Sequence, residues 1–391
     1  MRVPSWLPLL LGLLSAIGPI STDMYLPAFP QIESSLGGAP GAAQITLATW
    51  FLGLAIGQIT QGPLSDRFGR RRPLIAGMTI YTLASIGCAL APGLVSLSVF
   101  RLIAALGGSA SMVITRAIVR DLADGQAAAR LMSQLMLVMG AAPILAPTLG
   151  GIVLAFAGWQ AIFWITSLYG LTSLLLVLFF LPETLPAALR LRQGIGGLVT
   201  SYGRIFRERG FLSHALLGGF AMFAMFAYLG GSPSVFEDIF HLSPAIYGAL
   251  FGGCAAGFII ASQVNPRILP RFGAHRVLRV AVRTVLLATA ALSIVAIART
   301  THWWMVSGPI LVTMTCMGFT MPNAVVGALS RHAAHAGSAS ALMGTLQFAL
   351  AAISGATVGL LADGTARPMA LLMLLGAVGA VICDLYRPRP A

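Results

Sequence analysis

The chain has little charge and no lysine: 9% of its 391 residues are charged, and all 24 basic residues are arginines. Soluble domains carry charge on roughly a quarter of their residues, whereas 57% of the residues here are hydrophobic. A net charge of +13 in a soluble protein would suggest a nucleic-acid partner. The arginines fall between long apolar stretches, however, and do not form one basic face. We therefore expect a membrane protein that binds no nucleic acid.

The chain is also poor in groups that hold metals or cofactors. Its six histidines are scattered, and its four cysteines lie within or at the end of apolar runs without CxxC spacing. The cysteines are Cys88, Cys254, Cys316 and Cys383. Neither a disulfide framework nor a metal site is indicated. We expect the protein to work without a bound metal or cofactor.

Long apolar stretches are abundant, and most reach the roughly 20 residues that a membrane-spanning helix needs. They predict an all-α membrane protein with twelve transmembrane helices. The first run continues through Asp23 to Pro27 without a small-residue cleavage site, so we interpret it as a span and not as a signal peptide. The predicted spans are residues 6–29, 42–64, 73–91, 95–117, 128–155, 159–182, 211–233, 244–265, 276–298, 303–327, 339–361 and 368–386.

The distribution of arginine predicts the topology of these spans. If the N-terminus is cytoplasmic, every arginine except Arg101, Arg299 and Arg367 lies in a cytoplasmic segment. The opposite orientation would violate the positive-inside rule at almost every loop. We therefore expect both termini to be cytoplasmic.

The sequence also repeats itself. An Arg-Phe-Gly triplet at residues 67–69 recurs at residues 271–273, an offset of 204 residues, or about half the chain. The repeat predicts two six-helix halves, residues 1–182 and 211–391. The linker between them, residues 183–210, is polar, with apolar residues at helical spacing among arginines. This pattern predicts an interfacial helix on the cytoplasmic leaflet.

Four motifs carry a family resemblance. They are the loop Gly62-Pro-Leu-Ser-Asp66-Arg67-Phe-Gly69-Arg70-Arg71, the segment Ser21-Thr-Asp-Met-Tyr25-Leu-Pro-Ala-Phe-Pro30 in span one, the segment Arg116-Ala-Ile-Val-Arg120-Asp121 after span four, and the residues Pro143, Pro147, Gly150 and Gly151 in span five. With these motifs the chain resembles the major facilitator superfamily (MFS). Within that superfamily it is similar to the bicyclomycin and chloramphenicol resistance group of proton-coupled drug exporters.

The resemblance covers nearly the whole chain and implies a particular activity. It implies a monomer in the lipid of the bacterial inner membrane that exchanges small amphipathic substrates for protons. The prolines and glycines of span five match the motif associated with antiporters. Two residues depart from the family pattern: Ala146 stands where that motif usually has glycine, and Pro270 stands in the second repeat where Asp66 stands in the first.

Asp23 is the only acid well inside an apolar span. A carboxylate at this depth costs several kcal/mol unless it is paired or protonated. At 1.5 Å per residue, Asp23 and Arg101 each lie roughly 9 Å below the outer surface, so we expect them to pair. Desolvation favours the protonated acid, and a neighbouring arginine favours the ionised acid. The two residues are therefore predicted to couple transport to protons; the alternative is a static pair that joins two helices.

The charged loop after span two is predicted to gate the transporter. Asp66 lies within reach of Arg67, Arg70 or Arg120, and we expect ion pairs that hold one conformation and break in another. The alternative is an ordinary solvated turn. The residues assigned to this gating loop are Gly62, Asp66, Arg67, Gly69, Arg70, Arg71, Arg120 and Asp121.

A substrate cavity between the halves is expected to be lined by flexible and aromatic side chains, because methionine adapts to ligands of varied shape. For any single one of these residues the alternative is packing between helices or contact with lipid. The predicted pocket residues are Tyr25, Met112, Met136, Met139, Met222, Phe223, Phe226, Asn323 and Gln347.

Three classes of function compete. The first is a proton-driven exporter that works by alternating access. The second, a proton-coupled importer of a small nutrient or metabolite, would use the same fold and the same Asp23, but the span-five motif argues against it. The third, a membrane-embedded enzyme, would need converging nucleophiles, metal ligands or paired acids. His332 and His335 lie in a polar loop without a carboxylate partner, and we expect no catalytic activity.

Overall fold

The computed structural model of the chain describes residues 6–39, 41–122, 131, 135, 138, 145–190, 195–298, 302–330 and 336–388. At residues 120, 189, 195–199, 201, 244, 245 and 336 it describes the backbone alone. The described residues form helices joined by turns, as the composition predicts.

The helices follow the apolar stretches of the sequence, because a backbone in lipid must satisfy its own hydrogen bonds. The first seven are α1 (Leu7–Asp23), α2 (Phe29–Ser35), α3 (Ala42–Phe68), α4 (Arg71–Ala89), α5 (Leu94–Leu122), α6 (Leu145–Phe156) and α7 (Gln160–Phe180). The next seven are α8 (Ile195–Arg207), α9 (Arg209–Pro233), α10 (Pro244–Phe272), α11 (Ala274–Ile297), α12 (Trp303–Leu329), α13 (Ala336–Leu360) and α14 (Arg367–Tyr386).

Ten helical stretches in the described part of the chain are long and apolar enough to cross a membrane, and they overlap ten of the twelve predicted spans. The predicted span 73–91 also forms a helix, α4, but α4 is not among the ten. The predicted span 128–155 lies mostly outside the described residues, and its last part forms α6. The count of twelve and the cytoplasmic termini therefore stay predictions.

The two copies of the Arg-Phe-Gly triplet form equivalent turns. Gly69 separates α3 from α4 with φ 88°, and Gly273 separates α10 from α11 with φ 74°. Only glycine adopts such positive φ angles without steric cost, which is why both turns contain it. The sequence repeat is thus matched by a positive φ angle at the glycine of each turn.

The helices form two compact units. Unit 1 comprises Met1–Gln31 and Thr49–Ser201, and unit 2 comprises Ile32–Ala48 and Tyr202–Ala391. In unit 1, α5 and α7 each pack against both α1 and α4. In unit 2, α9 packs against α12, α13 and α14, while α12 also packs against α10 and α11. The division of the sequence at residues 183 and 211 stays a prediction, as does a membrane-surface position for the linker helix α8.

Small residues allow close helix contacts within each unit. In unit 1, a Cβ atom on Gly53 of α3 would lie 2.6 Å from the Cβ of Ala105 in α5. In unit 2, a Cβ atom on Gly376 of α14 would lie 2.8 Å from the backbone nitrogen of Ala224 in α9. Lipid tails are as apolar as leucine, so membrane helices associate through such close packing and not through exclusion of water.

Candidate functional site

Asp23 lies at a break in the first membrane span. Helix α1 ends at Asp23, and a short 3-10 turn at Leu26–Ala28 precedes α2. The break contains Pro27, which lacks the N–H group needed to continue an α-helix. Asp23 is only 5% exposed. Non-helical backbone at membrane depth occurs where it is buried in protein or lines a cavity, and in transporters such breaks mark ion and substrate sites.

Arg101 of α5 is also buried, but it contacts other groups than Asp23. Its Nη1 donates a 2.8 Å hydrogen bond to the carbonyl oxygen of Ser21. The carbonyl groups in the last turn of a helix have no partner within it, so the end of α1 supplies this acceptor. The guanidinium carbon lies 4.5 Å from the ring centre of Tyr25 and 4.6 Å from that of Trp50.

The predicted ion pair between Asp23 and Arg101 is therefore wrong for this structure. No nitrogen–oxygen distance within 4.0 Å joins these two described side chains. The carbonyl oxygen of Ser21 and the rings of Tyr25 and Trp50 stabilise the charge of Arg101 instead. The Nε and Nη2 atoms of Arg101 are buried without a hydrogen-bond partner among the described residues. The roles of Asp23 and Arg101 in proton coupling stay predictions.

Ser21 connects three helices at the break, although this role was not predicted from the sequence. Its carbonyl oxygen accepts from Arg101 of α5, and its hydroxyl group lies 2.7 Å from the hydroxyl group of Tyr81 in α4. Trp50 of α3 was missed as well. The signal was available for Ser21, which opens the span-one motif, but no spacing rule relates residues 50 and 81 to residue 101.

The gating loop contains a buried arginine between two acids. The Nη1 of Arg70 lies 2.5 Å from Oδ1 of Asp66, and its Nε lies 2.7 Å from Oδ2 of Asp121. Nη1 also donates to Ser65 at 2.9 Å, and Thr184 donates to Asp121 at 3.3 Å. Burial acts against the charge of Arg70, but the hydrogen bonds to Asp121 and Asp66 outweigh it and hold the pKa of Arg70 above its ordinary value.

Glu183 completes this cluster from the end of α7. Its Oε1 accepts from the backbone N–H of Arg70 at 2.8 Å, and its Oε2 accepts from that of Arg71 at 3.3 Å. A carboxylate at the start of a helix satisfies free N–H groups and interacts favourably with the helix dipole. A side chain at Gly69 would collide with this carboxylate, so the glycine is needed for space as well as for its φ angle. From the sequence, Glu183 was predicted only to begin the linker.

The other predicted loop residues are less involved. Arg67 is exposed and lies over the ring of Phe68, with 5.4 Å between the guanidinium carbon and the ring centre. A side chain at Gly62 would enter open space, with no described atom within 4 Å of its Cβ. The Nη2 of Arg71 donates to the carbonyl oxygen of Leu178 at 2.7 Å. The side chain of Arg120 lies outside the described part. Of the three arginines proposed to pair with Asp66, Arg70 does so.

The span-five motif lies against the break in span one. Pro147 and Gly150 of α6 are buried, and a side chain at Gly150 would overlap with the backbone carbonyl of Met24. At Gly151, by contrast, no described atom lies within 4 Å of an added Cβ. Pro143 lies outside the described residues. The motif therefore contributes a close contact with the residue that follows Asp23.

The predicted pocket residues fall in both units. In unit 1, Tyr25 and Met112 are buried, and Tyr25 packs on Arg101. In unit 2, Phe223, Phe226 and Asn323 are buried, while Met222 and Gln347 are half-buried. The Nδ2 of Asn323 donates to Oδ1 of Asn265 at 2.8 Å, so part of its polar capacity is already used. Met136 and Met139 lie outside the described residues, and the pocket as a whole stays a prediction.

A second buried carboxylate, Asp384, lies near the end of α14. It pairs with Arg387 and lies 3.8 Å from Nε of Arg279 in α11. Arg387 stands 204 residues after Glu183 and donates at 3.3 Å to the carbonyl oxygen of His275, in the first turn of α11. The second repeat thus joins the end of α14 to the start of α11 with an arginine, where the first repeat joins the end of α7 to the start of α4 with a glutamate.

In the described part of the chain, no three His, Cys, Asp or Glu residues cluster as a metal site would require.

A bundle of apolar helices with a buried carboxylate at a helix break and a charged loop between two spans is typical of a membrane transporter. The family model described as Major Facilitator Superfamily matches residues 11–356, and the chain belongs to that superfamily. It is a multi-pass protein of the bacterial inner membrane.

Two relatives and one solved structure show which members of the superfamily the chain is similar to. The chain is 36% identical over 381 residues to the MFS-type transporter YdgK of Bacillus subtilis, an alignment covering 95% of the chain and 92% of that protein. It is 30% identical over 365 residues to a bicyclomycin resistance protein homolog of Haemophilus influenzae, covering 93% and 92%. The predicted resemblance to the drug-resistance group is thereby confirmed. A D-xylose-proton symporter superimposes with a TM-score of 0.76 over 95% of this chain and 96% of that one, at 15% identity, which reflects a shared fold.

Proposed function

We propose that the chain is a proton-coupled exporter of small amphipathic compounds that works by alternating access. The observation that carries the proposal is the buried Asp23, which sits at a helix break inside an apolar span, without an ion pair among the described residues. The antiporter-type Gly150 packs against the residue that follows it. The name of the bicyclomycin resistance relative favours drug export over other solutes.

Asp23 is proposed to carry the proton, and Arg101 to respond to it. A protonated Asp23 is neutral and fits the apolar environment, whereas an ionised Asp23 needs a nearby donor. Arg101 bonds to Ser21, two residues before Asp23, and its Nε and Nη2 have no partner among the described residues. A shift of the helix break that brings the carboxylate to these donors would form charge-assisted hydrogen bonds. Proton release and a change of conformation are then one event.

The Arg70 cluster is proposed to stabilise one of the alternating conformations. It joins the ends of four helices in unit 1, because Asp66 belongs to α3, Arg70 precedes α4, Asp121 belongs to α5 and Glu183 follows α7. Four helices held at one end move together as a rigid body. The membrane potential supplies about 2.3 kcal/mol per charge per 100 mV, or roughly 50-fold accumulation for each net charge moved.

The proposal is tested in proteoliposomes with bicyclomycin as the probe and a pH-sensitive dye to follow protons. We expect an imposed proton gradient to drive bicyclomycin in the opposite direction to the protons, and Asp23→Asn to abolish this exchange while bicyclomycin still binds. The matched control is Glu33→Gln, since Glu33 is the other acid of the same candidate span and accepts hydrogen bonds from Gly41 and Ala43 at 3.0 Å. This control should exchange normally.

Other outcomes would contradict the proposal in distinct ways. Movement of substrate and protons in the same direction would favour the importer. Undiminished exchange in the Asp23→Asn variant would place the proton site elsewhere. Asp23→Glu, which keeps the titratable group, separates loss of the proton site from loss of folding: it should retain part of the exchange.

A further inference from the structure

Unit 2 has a groove on its surface between α10 and α11. Helix α12 packs against both of these helices, but α10 and α11 contact each other little. The gap between them has a volume of about 390 Å³, with Ile268 and Phe272 on one side, Val280 and Thr284 on the other, and Phe319 of α12 below. The groove is open, since Phe272 is 46% and Val280 57% exposed. Its lining is mostly apolar.

Two arginines lie at the end of the groove near the Gly273 turn. Arg276 is one of the lining residues, and the guanidinium carbon of Arg271 lies 5.5 Å from the ring centre of Phe272. Within the described part of the chain, neither arginine forms an ion pair with a carboxylate. Two positive charges at one end of the apolar groove therefore have no carboxylate partner among the described residues.

The second repeat keeps arginines at its turn but has no acid there. In the first repeat, Asp66 pairs with Arg70 at the turn between α3 and α4. The equivalent positions in the second repeat are Pro270 and Ala274, so both members of that pair are absent. An anion from outside the chain fits this site by charge, and an apolar tail fits the groove below it.

We propose that the groove binds an anionic phospholipid, with the phosphate between Arg271 and Arg276 and one acyl chain along α11. From Arg276 to Thr284 the helix rises by about 12 Å. This length is enough to hold, in an extended form, the half of an acyl chain that is next to the headgroup. Arginine-rich loops lie on the cytoplasmic side, so the lipid belongs to that leaflet. Basic pockets between membrane helices attract anionic headgroups there. The proposal is independent of the exported substrate.

The test uses the purified full chain in a neutral detergent, with bound lipid counted by native mass spectrometry. Phosphatidylglycerol and phosphatidylcholine with identical acyl chains are titrated separately, and we expect tighter binding of phosphatidylglycerol. Arg276→Gln should weaken this binding roughly fivefold, the effect of one arginine near a membrane surface. The matched control is Arg72→Gln, because Arg72 is the exposed residue at the equivalent position of the first repeat. That variant should bind phosphatidylglycerol normally.

A second pair of variants tests the apolar part of the groove without changing charge. Val280→Trp fills the groove and should lower phosphatidylglycerol binding, whereas Val95→Trp, at a valine that is 80% exposed, should not. Cys316, the half-exposed cysteine of the four, lines the groove, so phosphatidylglycerol should slow its reaction with a maleimide.

Three results would overturn the proposal. Equal affinity for the two lipids would mean that the groove does not select an anionic headgroup. Equal losses in the Arg276→Gln and Arg72→Gln variants would mean that the attraction is a general effect of net charge. Slowing of Cys316 labelling by glycerol phosphate as much as by phosphatidylglycerol would identify a site for soluble phosphates instead of a lipid.

Discussion

Arg101 is the residue whose surroundings differ most from the sequence-based expectation. Its guanidinium group lies over the rings of Tyr25 and Trp50, and it donates to the carbonyl oxygen of Ser21. A planar guanidinium group stacks on rings and donates in fixed directions, whereas the ammonium group of lysine is a compact, strongly hydrated charge. These contacts therefore fit the planar guanidinium group of arginine better than the ammonium group of lysine.

We predict that Arg101→Lys destabilises the protein by about 2 kcal/mol, since it loses two ring contacts and leaves buried groups less well satisfied. Thermal unfolding of the purified protein in detergent measures this, with Arg283→Lys as the control at an exposed arginine of α11. An unchanged unfolding temperature in Arg101→Lys would show that the ring contacts do not contribute to stability.

At the scale of elements, the break between α1 and α2 depends on how closely α6 approaches it. Gly150 lies against the backbone of Met24, whereas no described atom lies within 4 Å of a Cβ added at its neighbour Gly151. Two adjacent glycines of one motif thus have different requirements. Gly150 provides room for the chain next to Asp23, whereas no contact among the described residues excludes a side chain at Gly151.

We predict that Gly150→Ala impairs exchange in proteoliposomes severely and that Gly151→Ala leaves it nearly normal. The added methyl group at Gly150 must displace backbone at the break, and such overpacking costs about 1–3 kcal/mol. The two variants add the same atoms one residue apart, so each is the control of the other. If both lost activity equally, the close approach of α6 to Met24 would not explain the motif.

The Arg70 cluster is likewise a property of elements and not of one loop. Glu183 is 113 residues from Arg70 in the sequence, and Asp121 is 51 residues from it. These carboxylates meet because α4 packs against both α5 and α7. The proposed gate is therefore a junction of four helix ends, within which Asp66 is more accessible than Asp121: its side chain is 32% exposed, against 11% for that of Asp121.

For the whole molecule, we predict that Asp66→Asn slows transport more than it weakens substrate binding. The amide removes one of the two charges that hold Arg70, which changes the balance between conformations without touching the region of Asp23. Exchange in proteoliposomes should fall while binding of bicyclomycin in detergent persists. Cysteine-accessibility labelling should show altered conformational populations.

The control for this prediction is Arg67→Gln, which changes the charge of an exposed neighbour by one unit in the opposite direction and should transport normally. A variant at Asp66 that lost binding but kept its conformational populations would place Asp66 in the substrate path, and the gating role would have to be abandoned.

The sequence by itself determined the class of the protein, the positions of most spans and the equivalence of the turns at Gly69 and Gly273. These features follow from local physics, because lipid requires uninterrupted apolar helices and because positive φ angles require glycine. It also identified Asp23, since an acid inside an apolar span is visible without any knowledge of its neighbours.

Only the tertiary structure decided which side chains meet. Asp23 and Arg101 were expected to pair because they lie at equal depth, but depth does not specify the rotation of each helix about its axis. Rotation is set by close packing, as at Gly150 against Met24, and it directs Arg101 to Ser21 and two rings. The same packing brings Glu183 to the start of α4 and leaves Arg276 beside an apolar groove.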